Sequence, residues 1–333
     1  MSERLVDAYD LVIFDLDGVI YLIDRPIAGA VEAVGELHRA GVPLAYATNN
    51  ASRRSSEVAN LLTGLGVPAD TAEVVTSAGA SAAVLAQRLP AGSRVLVVGA
   101  DALRAEVRDA GLEPVERAEE RPAAVVQGYG PQVGWADLAE AAVAIRGGAQ
   151  WVATNTDRTL PSPRGPLPGN GSLVAALRTA LGRDPDLVVG KPQPELFATA
   201  ARRVGAKRPL VVGDRLDTDI EGAVRAGMDS LLVLTGVSGP ADLLAAPPEQ
   251  RPTYVAGDLG GLFDAPAAAA VPVDQVDGWR LDDSGGPRLA GDGASVDALR
   301  LLCGLAWSGG DGTKVEPDSS AARDALHALG LRT

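Results

Sequence analysis

Short apolar runs of strand character alternate with stretches of helical periodicity from the start of the chain, and no other feature narrows the possible folds as much. LVIFD (11–15) reads as a buried strand, and Gly29–Ala40 sets Val31, Val34 and Leu37 on one helical face. VPLAYATNN (42–50) reads as a second strand ending in polar residues; the stretch after it carries Val58, Leu61, Leu62 and Leu65 at helical spacing and stops at Gly66. Repeated β-α units build a parallel sheet with right-handed crossovers. The runs 186–192, 208–219 and 230–236, separated by helical segments at 194–205 and 219–227, are expected to add three strands to that sheet.

One crossover needs about a dozen residues, whereas Thr48 and Lys191 stand 143 positions apart. The strand-like runs 93–100, 122–130 and 149–157 fall inside this interval, so an inserted α/β domain over 76–186 is expected within a core formed by 1–75 and 187–262. The last stretch, 263–333, differs: an Ala/Pro run at 265–272 reads as a linker, 276–290 as a hairpin, and 296–310 and 320–330 as helices. Cys303 and Trp307 lie four apart on the apolar face of the first of these helices, which suits core packing. The expected class is therefore α/β: a Rossmann-like parallel-sheet core, an inserted α/β domain and a small α+β extension.

Composition excludes several function classes. A single cysteine, Cys303, rules out an internal disulfide and any multi-thiolate metal site, and the only histidines, His38 and His327, each lie in a helix-like stretch away from potential partners. Acid–base work thus falls to carboxylates. With 30 Lys and Arg against 43 Asp and Glu the net charge is −13, and without a basic run nucleic acid is not an expected partner. No run approaches the roughly 20 apolar residues of a membrane span, and the polar start MSERLVDAYD is unlike a secretory signal, so a cytoplasmic location is expected.

Chemistry concentrates at the expected strand ends. Asp15-Leu16-Asp17-Gly18 follows the first strand, Thr48-Asn49-Asn50 the second, Lys191 a later one, and Asp214 with Asp219 the next. Taken singly, each fits a turn, a cap or a solvated lysine. In a parallel sheet, however, all these loops open at the carboxyl ends of the strands, where open α/β sheets place their sites. Two adjacent carboxylates persist only when a cation joins them or one holds a proton. The set suits phosphoryl transfer through a covalent aspartyl-phosphate. Asp15 would be the nucleophile, with Mg²⁺ held by Asp15, the backbone carbonyl of Asp17, and Asp214. Gly18 lets the chain turn so that Asp17 serves as general acid and then general base. Thr48 and Lys191 would meet the charged phosphoryl oxygens, with Gly18, Asn49 and Asn50 beside them, and Asp219 would act behind the metal, orienting Lys191 or a metal-bound water.

These residues resemble the four motifs of the haloacid dehalogenase (HAD) superfamily, in order: DLDGV (15–19), Thr48, Lys191 and GDRLDTD (213–219). The resemblance covers about 1–260. The insert size, with ATNN, VGKP and GDRLDTD, looks like the class IIA, 4-nitrophenylphosphatase (NagD-like) branch. It implies a Mg²⁺-dependent phosphatase of small phosphorylated metabolites, with the insert as a substrate-selecting cap and dimerisation through that cap. Segment 154–173 resembles the branch's substrate-facing loop, which makes Asp157 and Asn170 candidate substrate contacts. The tail is similar to that of certain bacterial glycerol-3-phosphate phosphatases, where it is a partial acetyltransferase-like module. It lacks a Gly-rich pyrophosphate loop, so no catalysis is expected of it. Glycerol 3-phosphate is the expected substrate; 2-phosphoglycolate, pyridoxal phosphate and nucleoside monophosphates are alternatives. From another class, a regulatory protein signalling through phosphorylated Asp15 remains open, as does a phosphomutase.

Overall fold

The computed structural model describes residues 4–160, 162, 164–282 and 286–331. The chain forms two compact units, one comprising residues up to 44, 65–68 and from 204 onward, the other comprising 45–64 and 69–203.

In the first unit, Leu11–Phe14, Pro209–Gly213, Asp229–Val233 and Tyr254–Ala256 run parallel as successive neighbours. The register pairs Phe14 with Val212, Gly213 with Leu232, and Val233 with Ala256. Leu11–Phe14 is buried along its whole length, as a parallel strand covered on both faces must be. The helix Ala30–Arg39 turns Ala30, Ala33, Val34 and Leu37 inward, close to the expected face, while Val31 is only half-buried. Tyr254–Ala256, a strand the sequence pattern did not reveal, adds to this sheet.

The C-terminal extension is built onto the same unit. The expected hairpin strands are present as antiparallel Trp279–Asp282 and Arg288–Gly291, with 283–285 outside the described residues. Glu316–Pro317 joins it, and the helices Ser295–Trp307 and Ser320–Ala328 cover it. One hydrophobic cluster runs from Leu216, Ile220, Leu232 and Val255 to Leu299, Leu302, Cys303 and Leu326 without interruption. Burial there pushes the Cys303 thiol up to about 12, so it stays protonated. Arg300, 4 % exposed, donates to the Val255 carbonyl at 3.2 and 2.8 Å, and the Trp307 indole donates to the Leu243 carbonyl at 3.1 Å. The run 265–272 is not the loose linker its composition suggested. Pro266–Ala269 is helical, Val271 packs into the cluster, and its N–H donates to the Thr253 carbonyl at 3.1 Å.

The second unit holds a five-stranded parallel sheet in the order Leu187–Val188, Gln150–Ala153, Ala124–Gln127, Arg94–Val98, Glu113–Val115. The three strands expected at 93–100, 122–130 and 149–157 are all in it. The run at 186–192, expected in the core sheet, belongs here instead. Leu187 and Val188 pair with Val152 and Ala153, and the N–H groups of Val189 and Gly190 extend the ladder to Ala153 and Thr154. The helix Asn170–Leu181 makes the crossover that returns the chain beside Gln150–Ala153, which explains the choice of sheet. The same unit carries Tyr46, Ala47 and Thr48 parallel to Val74–Thr76, with the helix Ser55–Gly64 burying Val58, Ala59 and Leu62. Among the described residues no helix is long and apolar enough to cross a membrane.

Candidate active site

In the first unit the carboxylates gather where the parallel strands end. The Asp15 N–H donates to the Val212 carbonyl at 2.8 Å, so the nucleophile candidate sits on the last rung of the ladder, 8 % exposed. The chain then turns tightly. Ile20 and Tyr21 both donate to the Leu16 carbonyl, at 2.9 and 3.1 Å, and Gly18 donates to the Tyr21 carbonyl at 2.8 Å. Gly18 has φ +84°, which a side chain would strain. A Cβ there would also lie 2.5 Å from Asp214 Oδ2. Asp17, carried by this turn, is exposed.

Asp214 and Asp219 are fully buried. Asp219 belongs to the irregular helical turn Leu216–Ile220, and its Oδ2 accepts the Arg215 N–H at 3.1 Å. A Cβ on Gly213 would overlap the Asp219 side chain, and one on Gly236 would overlap the Asp214 carboxylate, so both sites require glycine. Asp15, Asp214 and Asp219 each offer an oxygen, and these oxygens lie within 4.8 Å of one another. Like charges that close repel by roughly 3–4 kcal/mol per pair at an effective dielectric of about 20. A hard divalent cation with oxygen ligands removes that repulsion, and an all-oxygen set with no nitrogen or sulfur donor fits Mg²⁺. Asp219, expected behind the metal, gathers with Asp15 and Asp214, while the Asp17 carboxylate is not in this cluster.

One loop that sequence reasoning passed over braces the site. Thr235 donates its hydroxyl to the Gly18 carbonyl at 2.6 Å, Val237 N–H donates to Asp214 Oδ2 at 2.7 Å, and Ser238 N–H donates to the Asp214 carbonyl at 3.0 Å. Ser238 Oγ in turn accepts the Leu216 N–H at 3.0 Å. The available signal was Thr-Gly at a strand end, the same kind of punctuation that marked Thr48.

The second unit brings together Thr48, Asn49, Asn50, Asp157 and Lys191. Thr48, 5 % exposed, ends its strand and accepts the Asn50 N–H at 3.1 Å, and Asn50 closes a turn by accepting the Ser52 N–H at 2.8 Å. Asn49 grips Lys191 from both sides of the backbone: Oδ1 accepts the Lys191 N–H at 2.8 Å while Nδ2 donates to its carbonyl at 3.1 Å. The same amide donates to the Asp157 carboxylate at 3.1 and 3.2 Å. Lys191 is 3 % exposed, its Nζ donating to the Ala47 carbonyl at 3.2 Å and lying 5.9 Å from the Phe197 ring centroid. Asn170 is 1 % exposed; it donates to the carbonyls of Asn155 and Gln127, at 2.8 and 3.2 Å, and opens the helix Asn170–Leu181. A surface cavity of about 310 Å³ in this unit, lined by Arg54, Ser55, Thr71, Glu106 and Arg203, contains none of the predicted site residues. Burial raises the Glu106 carboxyl there against the opposing pull of Arg54.

Residues 12–113 match the family described as haloacid dehalogenase-like hydrolase, and residues 188–262 match a second, HAD-hydrolase-like family. A D-glycerol 3-phosphate phosphatase of Mycobacterium tuberculosis is 48 % identical over 301 residues, covering 90 % of this chain and 83 % of the relative. An acid sugar phosphatase of Staphylococcus aureus is 35 % identical over 253 residues, covering 75 % and 95 % of the two chains. Among solved structures, a glycerol phosphate phosphatase from M. tuberculosis in complex with magnesium superimposes with TM-score 0.93 at 45 % identity, covering 100 % of both chains. A 4-nitrophenylphosphatase from Thermotoga maritima gives TM-score 0.72 at 33 % identity, covering 78 % of this chain and 98 % of its own.

Proposed function

This chain belongs to the haloacid dehalogenase-like hydrolases, and on that premise we propose that it is a Mg²⁺-dependent phosphomonoesterase acting on glycerol 3-phosphate through a phosphorylated Asp15. The observation that carries the reading is the gathered trio of carboxylates, Asp15, Asp214 and Asp219, with a second acid two residues beyond the first. Likeness to a glycerol phosphate phosphatase over the whole chain, tail included, supports the substrate.

Asp15, Asp214 and Asp219 would hold the metal, which when bound supplies positive charge between the carboxylates and the incoming phosphate dianion. An Asp15 oxygen attacks phosphorus, the bond to the glycerol oxygen breaks, and Asp17 gives the leaving alkoxide its proton. Water then attacks the same phosphorus. Asp17 takes its proton, the acyl-phosphate bond breaks, and inorganic phosphate leaves with Asp15 restored. Thr48 would donate a hydrogen bond and Lys191 a positive charge to the phosphoryl oxygens, and Asn49 would set the Lys191 backbone. Gly18 and Asn50 contribute turns beside the phosphate. Asp157, tied to Asn49, would face the leaving group from the substrate-selecting segment 76–186, between core segments 1–75 and 187–262; Asn170 would support that segment from within. Residues 263–333 would have no part in the chemistry. A phosphate dianion does not cross a membrane unaided, so an enzyme drawing on this metabolite pool would work in the cytoplasm, and a homodimer is the expected assembly.

Steady-state phosphate release from glycerol 3-phosphate, 2-phosphoglycolate, pyridoxal phosphate and nucleoside monophosphates tests this reading. Glycerol 3-phosphate is expected to show the highest kcat/KM in the presence of Mg²⁺. A different best ester removes the substrate assignment and leaves the reaction class standing. A stable phosphoprotein with no ester turned over replaces the enzyme by a phosphorylation signal.

A further inference from the structure

We propose that Thr235 is the positioning residue for the Asp17 carboxyl, an inference that rests on the acid–base role given to Asp17 above. The Asp17 backbone adjoins the peptide plane that carries the Gly18 N–H, and the next plane, which carries the Gly18 carbonyl, acts on it through the Gly18 torsions. The first is fixed by the Gly18 N–H, which donates to the Tyr21 carbonyl at 2.8 Å. The second is fixed by the Gly18 carbonyl, which accepts the Thr235 hydroxyl at 2.6 Å. With φ of Gly18 at +84°, a conformation open mainly to glycine, the Thr235 bond adds a restraint on the Gly18 carbonyl to the bonds from Ile20 and Tyr21 to the Leu16 carbonyl.

The loop that holds the second plane also holds the metal-binding carboxylate. Two residues beyond Thr235, Val237 N–H donates to Asp214 Oδ2 at 2.7 Å, and Ser238 N–H donates to the Asp214 carbonyl at 3.0 Å. Gly18 and Gly236 both press against the Asp214 side chain, and a Cβ on Gly18 would lie 3.2 Å from the Gly236 Cα. Residues 235–238 therefore register the acid–base turn against the carboxylate cluster. The Thr235 hydroxyl is the side-chain member of that contact.

A general acid must come within about 2.6–3.2 Å of the leaving oxygen, and a misplacement of about 1 Å costs on the order of 100-fold. In kcat/KM, which reports the steps up to release of the alcohol, the cost falls only on leaving groups that need the proton, whereas the later proton transfer from water is common to every ester. Thr235→Val keeps the shape and removes the hydroxyl; Thr235→Ser keeps the hydroxyl and removes a methyl. For Thr235→Val, kcat/KM on glycerol 3-phosphate is expected to fall roughly 10- to 100-fold. On 4-nitrophenyl phosphate, whose phenolate departs without a proton, it is expected to fall less than about 3-fold. Thr235→Ser should keep the wild-type ratio between the two esters. An equal loss on both esters, no loss on either, or an altered ratio in the Ser variant overturns the proposal; if the Val variant does not fold, Thr235→Ala replaces it under the same criteria. Asp17→Asn run beside them separates the two ideas. If it shows the ester-selective loss and Thr235→Val does not, the positioning role falls alone. If Asp17→Asn lowers kcat/KM equally on both esters, the general-acid premise falls and takes the positioning role with it.

Discussion

Asp15→Asn is expected to reduce kcat on every phosphate ester by about 10⁴-fold or more, the scale on which loss of a covalent nucleophile leaves only binding and electrostatics. The substitution is nearly isosteric, and the Asp15 N–H bond to the Val212 carbonyl does not depend on the side chain. It also removes one of three negative charges whose oxygens lie within 4.8 Å of one another. In a chelator, where no divalent ion offsets that repulsion, the variant should therefore melt at or above the wild-type temperature. Loss of activity together with retained or increased stability separates a chemical role from a structural one. Phosphate release, thermal melting, and peptide mapping of acid-quenched wild type for a phosphoryl group on Asp15 check the three parts. Residual activity within about 100-fold of wild type, or a phosphoryl group mapped to another side chain, disproves covalent catalysis at this position.

Chelation is expected to abolish turnover, and added Mg²⁺ to restore it. The physical ground is the same cluster: with no cation, a substrate dianion must approach three carboxylates, two of them fully buried. Mg²⁺ should also stabilise the folded protein in the absence of substrate, by about 2.7 kcal/mol at one hundred times its Kd. Asp214→Ala is expected to raise the Mg²⁺ concentration needed for half-maximal activity by at least about tenfold and to shrink the thermal shift. A Mg²⁺-independent melting temperature, or full activity in a chelator, contradicts the assignment of Asp15, Asp214 and Asp219 as the metal-holding set. Zn²⁺ should substitute poorly, since the cluster offers neither nitrogen nor sulfur.

The candidate residues at strand ends were legible because the signal is local. A short β-rich run that stops at Asp, Thr or Gly-Asp announces a loop at the carboxyl edge, and the apolar strand before Asp15 was equally plain. What escaped depended on partners distant in sequence. Nothing near 187–188 tells which of two parallel sheets those residues will join; the choice is made by the helix Asn170–Leu181 and the strand it returns beside. The brace from Thr235 reaches a carbonyl 217 positions away. Asp219 was expected behind the metal; its carboxylate, on the turn Leu216–Ile220, gathers with those of Asp15 and Asp214, a grouping that depends on residues far apart in sequence. Low complexity likewise misled at 265–272. Alanine and proline suggested a spacer, but Val271 finds a hydrophobic partner in the core and a carbonyl on Thr253.

The uninterrupted apolar cluster joining Leu216, Ile220 and Val255 to the C-terminal helices bears on how this unit comes apart. Arg300 and Trp307 donate to the carbonyls of Val255 and Leu243, so detaching the extension would strand those groups and expose Leu232, Leu243 and Val255 to water. The tail is thus expected to unfold together with the strands it packs on. Calorimetry should find no separate endotherm for it, and the cooperative transition that releases it should also loosen the turn carrying Asp219.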